Sequence, residues 1–270
     1  MLDLQEVLLD VSAFADDVDD VVVEDTGRIL YVKNGVDVDC RIVRSDGDSP
    51  DRVRMSDGTE ITYSKFLTHE LARLDVLAGK LIDLRPEVPF FVDGQASLTR
   101  PGESTTDGSS IDLLNAECRE APAFASRVSF LTADAGHGKT ALLRHYQRLT
   151  AQDFQKGKST FLFWHVDLQG RQLLRLSEAL MGDLGELRHS GLWMPGIVRL
   201  MQHKKLILAV DGFDELSAEQ GDADALGALT SLVDQLEGRG VIIAAARRTF
   251  FDAEDYASKT SLVRRGLASP

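Results

Sequence analysis

The chain has 270 residues, 43% hydrophobic and 27% charged, with a formal net charge of −13 and a pI near 4.9. That length exceeds one ordinary compact domain and provides for two, and the composition excludes a wholly disordered or fibrous protein. The net acidity excludes a general attraction to phosphate backbones or anionic lipid, so a polyanionic ligand has to be held by a local site.

Nine acids, Asp3 to Asp25, precede the first basic residue, Arg28, and read as a solvated acidic stretch. Within it Leu2, Leu4, Val7, Leu8, Val11 and Phe14 recur at a loose helical spacing, which predicts a short helix ending before Asp16 to Asp20. Apolar residues then alternate at period two through Ile29 and Tyr31 and again through Val36, Val38, Cys40 and Ile42, with Asn34-Gly35 between the runs as a hairpin turn. Val53 and Met55, then Asp57-Gly58, then Ile61 and Tyr63, predict a second hairpin. Leu67, Leu71, Leu74, Ala78 and Leu81 form a stripe that predicts one amphipathic helix over 64–84, stopped by Pro86. His69 lacks a second ligand at i+4 and reads as a surface residue rather than a metal ligand.

The stretch TRPGESTTDGSS, 99–110, has the composition of a loop or linker and sets the domain boundary, followed by a helix over 111–119. Beyond it apolar strands at 128–132, 160–166, 206–211 and 241–245 alternate with helical stretches from about Lys139, Arg171 and Ala223, the signature of a parallel sheet built from βα units. The expected organisation is a small β-rich α+β domain over 1–98, a linker and helix over 99–120, and an α/β domain over 121–270 with a parallel sheet and flanking helices. A fifth strand is expected at 260–264.

The chemistry concentrates in VSFLTADAGHGKTALLRHY, which runs from a strand through a small-residue loop into a helix. That is the context of a phosphate-binding loop, where backbone N–H groups and a helix N-terminus supply positive potential. Against the pattern GxxxxGK[ST], the loop Ala133, Asp134, Ala135, Gly136, His137, Gly138, Lys139 and Thr140 departs only in having Ala133 at the first Gly position. Alanine can make the same turn where φ stays negative. Lys139 is expected to reach the β- and γ-phosphates, Thr140 to put its hydroxyl on Mg²⁺, and His137 to be an exposed bystander. KKLILAVDGFDEL follows, in which a buried-type strand ends in Asp211, a carboxylate placed to hold the Mg²⁺ shell. Asp214 and Glu215 are candidates to orient or deprotonate the attacking water, Glu215 favoured for reach. The fourth strand delivers Arg247 and Arg248 to the same rim, where a cation can sense a γ-phosphate or pair with Asp211, Asp214 or Glu215.

These blocks together, Ala133-x-x-Gly136-x-Gly138-Lys139-Thr140, then Asp211-Gly212-Phe213-Asp214-Glu215, then a strand ending in Arg247, resemble the NACHT group of STAND signalling ATPases. The DGFDE block is the most specific part, whereas Ala245-Ala246-Arg247-Arg248 stands where such proteins usually have Thr-Ser-Arg-Pro. The resemblance covers about 121–270. It implies a P-loop NTPase sheet with the P-loop strand central and the Asp211 strand not adjacent to it, ATP (or GTP) with Mg²⁺ as ligand, and slow hydrolysis driving a conformational switch. It also implies an unidentified protein partner or trigger, self-oligomerisation on activation and, from bacterial relatives, a place in antiviral defence. Such proteins continue into helical and winged-helix lid subdomains, so the sequence reads as a fragment. The alternatives are a nucleotide-binding interaction module without hydrolysis, and a P-loop motor; direct nucleic-acid contact is not expected from an acidic chain with no basic stripe.

Cys40 and Cys118, with no CxxC pair, indicate neither a disulfide framework nor a structural zinc, and both read as small core residues. No run of about 18 apolar residues occurs, and MLDLQEVLLDV lacks a basic leader region, so a cytoplasmic protein without a membrane span is expected.

Overall fold

The computed structural model describes residues 2–44, 49–100, 103–120, 126–168, 176–212 and 222–248, with backbone alone for 222–228. Asp3 N-caps the first helix, α1 (Leu4–Ser12), by accepting from the Gln5 N–H, and α1 buries Val7, Asp10 and Val11. Five strands follow as an antiparallel meander in the order β1-β2-β3-β4-β5: β1 (Val22–Val23), β2 (Arg28–Lys33), β3 (Val36–Val43), β4 (Arg52–Arg54) and β5 (Glu60–Thr62). Both expected hairpins are present. Tyr31 faces Val38 across the first, and the turn places Asn34 and Gly35 at φ of 50° and 71°, the left-handed pair that a two-residue hairpin needs. Asp16 accepts from the N–H groups of both turn residues, at 2.9 and 2.7 Å.

The helix expected over 64–84 is instead broken into three pieces. A single turn, α2 (Tyr63–Lys65), passes into a π-helix over Phe66–Leu71, closed by a bond from the Ala72 N–H to the Leu67 carbonyl, and Arg73 then takes a left-handed φ of 51° before α3 (Leu74–Leu84) starts. The wider turn lets adjacent Phe66 and Leu67 be buried together with Leu71 and Leu74, so the apolar stripe is satisfied in spite of the break. His69, read as a surface residue, is half-buried and stacks on Phe154, with ring centroids 5.7 Å apart.

Part of the stretch expected to be a loop is ordered: β6 (Gln95–Leu98) and β7 (Thr106–Ser109) pair antiparallel, and Ser109 then caps α4 (Ser110–Arg119). The remaining elements are β8 (Arg127–Ala133), α5 (Lys139–Gln155), β9 (Leu162–Asp167), α6 (Leu176–Glu186), α7 (Met194–Gln202), β10 (Leu206–Asp211), α8 (Asp222–Gln235) and β11 (Val241–Arg247). The helix α7 is an addition to the sequence reading. The four strands form an all-parallel sheet in the order β8-β11-β10-β9, so β11 separates the P-loop strand from the Asp211 strand, as the resemblance implies. Among the described strands β8 lies at the end of the sheet rather than at its centre, and the strand expected at 260–264 falls outside the described residues.

Two apolar layers enclose this sheet. On one face Leu114 and Cys118 of α4 and Leu142, Leu143 and Tyr146 of α5 cover Phe163, Ile207, Ala209 and Ile243. On the other, a single cluster runs from Trp164, Leu208 and Ile242 through α6 and α7 to Val7, Val11 and Phe14 and on to Ile29, Phe66 and Leu77 in the antiparallel region. The two sheets therefore share one continuous core. A buried polar knot crosses the same seam: Asp10, fully buried, accepts from Arg199 Nε at 2.6 Å and from the Tyr63 hydroxyl at 2.6 Å, and meets His203 Nε2 at 2.9 Å, while Arg199 also bonds Glu6. Thus Asp10 and Asp16, read from sequence as part of a solvated stretch, have structural work: one ties α1 to α7, the other holds a hairpin turn.

Candidate nucleotide site

The phosphate loop begins where β8 ends. Ala133 keeps a negative φ, so the departure from glycine at this position carries no strain. Gly136 and Gly138 do need to be glycine: both are left-handed, at φ of 82° and 81°, where any side chain costs about 1–2 kcal/mol even though a Cβ would meet no neighbour. Gly138 is the N-cap of α5, and no side chain caps that helix, leaving the N–H groups of its first turn pointing into the loop with the positive end of the helix dipole. The Lys139 ammonium lies over this cradle and donates to the carbonyls of Ala133 and Asp134 at 2.6 and 3.3 Å.

Residues of α5 at one-turn spacing join the loop to the ends of the strands. The Thr140 hydroxyl lies close enough to the Asp211 carboxylate to favour its ionised form, Arg144 pairs with Asp167 at 2.8 Å, and Gln147 accepts from the His165 backbone N–H at 2.7 Å. Asp211 and Asp167 are in register at the C-terminal ends of β10 and β9. Burial alone would raise the Asp211 pKa, but His165, the nearby Thr140 hydroxyl and the Gly212 N–H outweigh it and hold the carboxyl below its ordinary value. Asp211 is therefore an anion, 1% exposed, beside a hydroxyl. Two oxygen donors of this kind fit a hard divalent cation such as Mg²⁺.

Around them lies a cavity of about 500 Å³, a size common for nucleotide-scale ligands. Of the residues expected from sequence, Ala135, Gly136, Gly138, Lys139, Thr140, Asp211 and Arg247 line it, whereas Ala133, Asp134 and His137 do not. Arg247 reaches it because β11 pairs with β8 in a register that sets Arg247 against Ala133. Arg248 is exposed and outside the lining. Asp214 and Glu215 lie outside the described residues. The sequence reading missed Arg144 and a wall formed by Glu87, Val88 and Pro89 from the segment after α3. Arg144, four residues past Thr140, was accessible from helical periodicity; nothing in the sequence ties 87–89 to Lys139. That segment is held in place by Phe91, stacked on His145 of α5 at 4.0 Å, and by Arg148 of α5, whose guanidinium lies 3.8 Å from the Glu87 carboxylate.

Among the described residues no helix is long and apolar enough to cross a membrane. A search of curated proteins gives no match. Compared with known protein families, residues 127–267, just over half of the chain, match the NACHT domain. With its P-loop, its Asp211 strand and a parallel sheet in this order, the chain belongs to the NACHT family of nucleotide-binding P-loop NTPases.

Proposed function

We propose that the protein binds ATP with Mg²⁺ in the cavity between α5 and the strand ends, hydrolyses it slowly, and uses the exchange as a conformational switch for signalling. The observation that carries this reading is the convergence of Lys139, Thr140, Asp211 and Arg247 on one cavity at the N-terminus of an uncapped helix. The α5 N–H groups and Lys139 would take the β- and γ-phosphates, Lys139 exchanging loop carbonyls for phosphate oxygens. Mg²⁺, held through Thr140 and Asp211, would neutralise charge on those oxygens. Arg247, at the end of the neighbouring strand, would meet the γ-phosphate, and Asp214 and Glu215 would orient or deprotonate the water.

The switch reading is supported by the wall at Glu87, Val88 and Pro89, a segment that precedes the parallel-sheet part in the chain, so gain or loss of a phosphate would act on it as well as on the phosphate loop. Oligomerisation on activation and a role in antiviral defence are carried over from the family resemblance alone.

Calorimetric titration with ATP, ADP and GTP in Mg²⁺, for the wild type and Lys139→Ala, tests the site. Loss of charge-assisted bonds to phosphate should weaken ATP binding in Lys139→Ala by about 10- to 100-fold. A wild-type chain that binds none of the three nucleotides overturns the reading.

A further inference from the structure

The run FLFWHVD places one imidazole in an otherwise apolar buried strand, an arrangement that is unfavourable unless the ring is hydrogen-bonded. His165 is 4% exposed and lies on the α5 face of β9, two residues short of the rim and in register with Ala209. Its Nε2 sits 3.3 Å from Asp211 Oδ2. An ionised carboxylate only accepts, so Nε2 carries the proton in this bond. The other carboxylate oxygen, Oδ1, accepts from the Gly212 N–H at 3.0 Å. Each Asp211 oxygen is thus tied separately, and a rotation of the carboxylate would break both bonds. The strand that carries His165 is itself fixed, because Gln147 of α5 satisfies the His165 N–H on the side of β9 facing away from β10.

We infer that His165 is a positioning residue: by holding Oδ2 it sets the orientation in which the Asp211 carboxylate meets the Mg²⁺ of a bound nucleotide. The inference rests on the nucleotide-site reading above. His165 does not line the cavity, so its effect passes through Asp211. Partners of this kind, one bond removed from the metal, commonly change metal affinity by about 10- to 100-fold when lost.

The test is the Mg²⁺ concentration that half-saturates ATP binding to the full chain, with ATP affinity in EDTA measured alongside. His165→Leu keeps the volume and removes the donor; His165→Gln keeps an amide N–H. The Mg²⁺ midpoint should rise about tenfold in His165→Leu and stay near wild type in His165→Gln, with ATP affinity in EDTA unchanged in both. Equal loss with and without Mg²⁺, no change in His165→Leu, or a His165→Gln variant as impaired as His165→Leu would each overturn the inference while leaving the nucleotide site standing. A wild type that fails to bind ATP in either buffer removes both.

Discussion

Replacing Arg199 with methionine should be among the most damaging single changes in the molecule. Asp10 is fully buried, and Arg199 supplies its charge partner as well as bonds to Glu6 and to Gln202 Oε1 at 2.7 Å. Methionine fills much of the volume, so the cost is electrostatic: an uncompensated buried carboxylate, for which breaking one side of an ion pair typically costs about 3–5 kcal/mol. Tyr63 and His203 remain on Asp10, which argues for the low end, about 3 kcal/mol. At roughly 2–4 °C per kcal/mol for a chain approaching this size, the thermal midpoint should fall by about 6–12 °C. Urea unfolding followed by tryptophan emission is the matching equilibrium assay, since Trp164 is buried in the shared core. Changing Asp10→Leu together with Arg199→Met removes both charges and should recover most of the loss. If Arg199→Met melts within a few degrees of wild type, or the double variant is worse than the single, the knot between α1 and α7 does not do what its burial implies.

His189, 8% exposed with neither ring nitrogen in a normal hydrogen bond, has its pKa pulled down to about 4, first by burial and then by the nearby Lys80 cation. Between an unfolded value near 6.5 and the folded value, the unfolded chain binds a proton that the folded chain refuses. Stability from this site is therefore complete above about pH 6.5 and is lost as pH falls towards 4, by up to about 3 kcal/mol. Urea midpoints at pH 7 and pH 5 should show it, and His189→Leu should flatten that dependence; an unchanged slope would assign it to other groups. At Gly196 in α7 a Cβ would stand 2.7 Å from the buried Phe14 ring. Gly196→Ala should thus lose about 1 kcal/mol net, the overpacking of about 1–3 kcal/mol exceeding a helix gain of up to about 1, and Phe14→Leu should partly relieve it; a raised thermal midpoint for Gly196→Ala alone would contradict this.

Patterns that are local in the chain were readable in advance, and those that depend on distant packing were not. Asn34-Gly35 announced its hairpin because a left-handed pair is a property of two residues, and the strand ending at Asp211 was legible because an apolar run needs no partner to be recognised. The break at Arg73 was invisible because the stripe Leu67, Leu71, Leu74, Ala78 and Leu81 serves a broken path as well as a continuous helix. The helix α7 was missed because Pro195-Gly196 looks like a stop, whereas proline in a first helical turn gives up no hydrogen bond and glycine there makes room for Phe14. The phosphate loop emerged from its spacing, but its facing wall did not, since Pro89 and Lys139 stand 50 residues apart with nothing between them to signal contact. The acids Asp10 and Asp16 were misread for the same reason: their partners, Arg199 and the 34–35 turn, lie far along the chain.

The position of that wall bears on how the protein can be divided. A shortened chain starting at residue 127, where the family match begins, would keep every phosphate-loop residue and lose Glu87, Val88 and Pro89 from the cavity and Phe91 from the ring of His145. It would also strip Leu114 and Cys118 from one apolar face of the parallel sheet, and Val7, Val11 and Phe14 from the cluster on the other. What remained would be a nucleotide cradle open on one side, mounted on a sheet with greasy surface exposed on both, so poor solubility or weak binding in such a piece would speak to the cut rather than to the site.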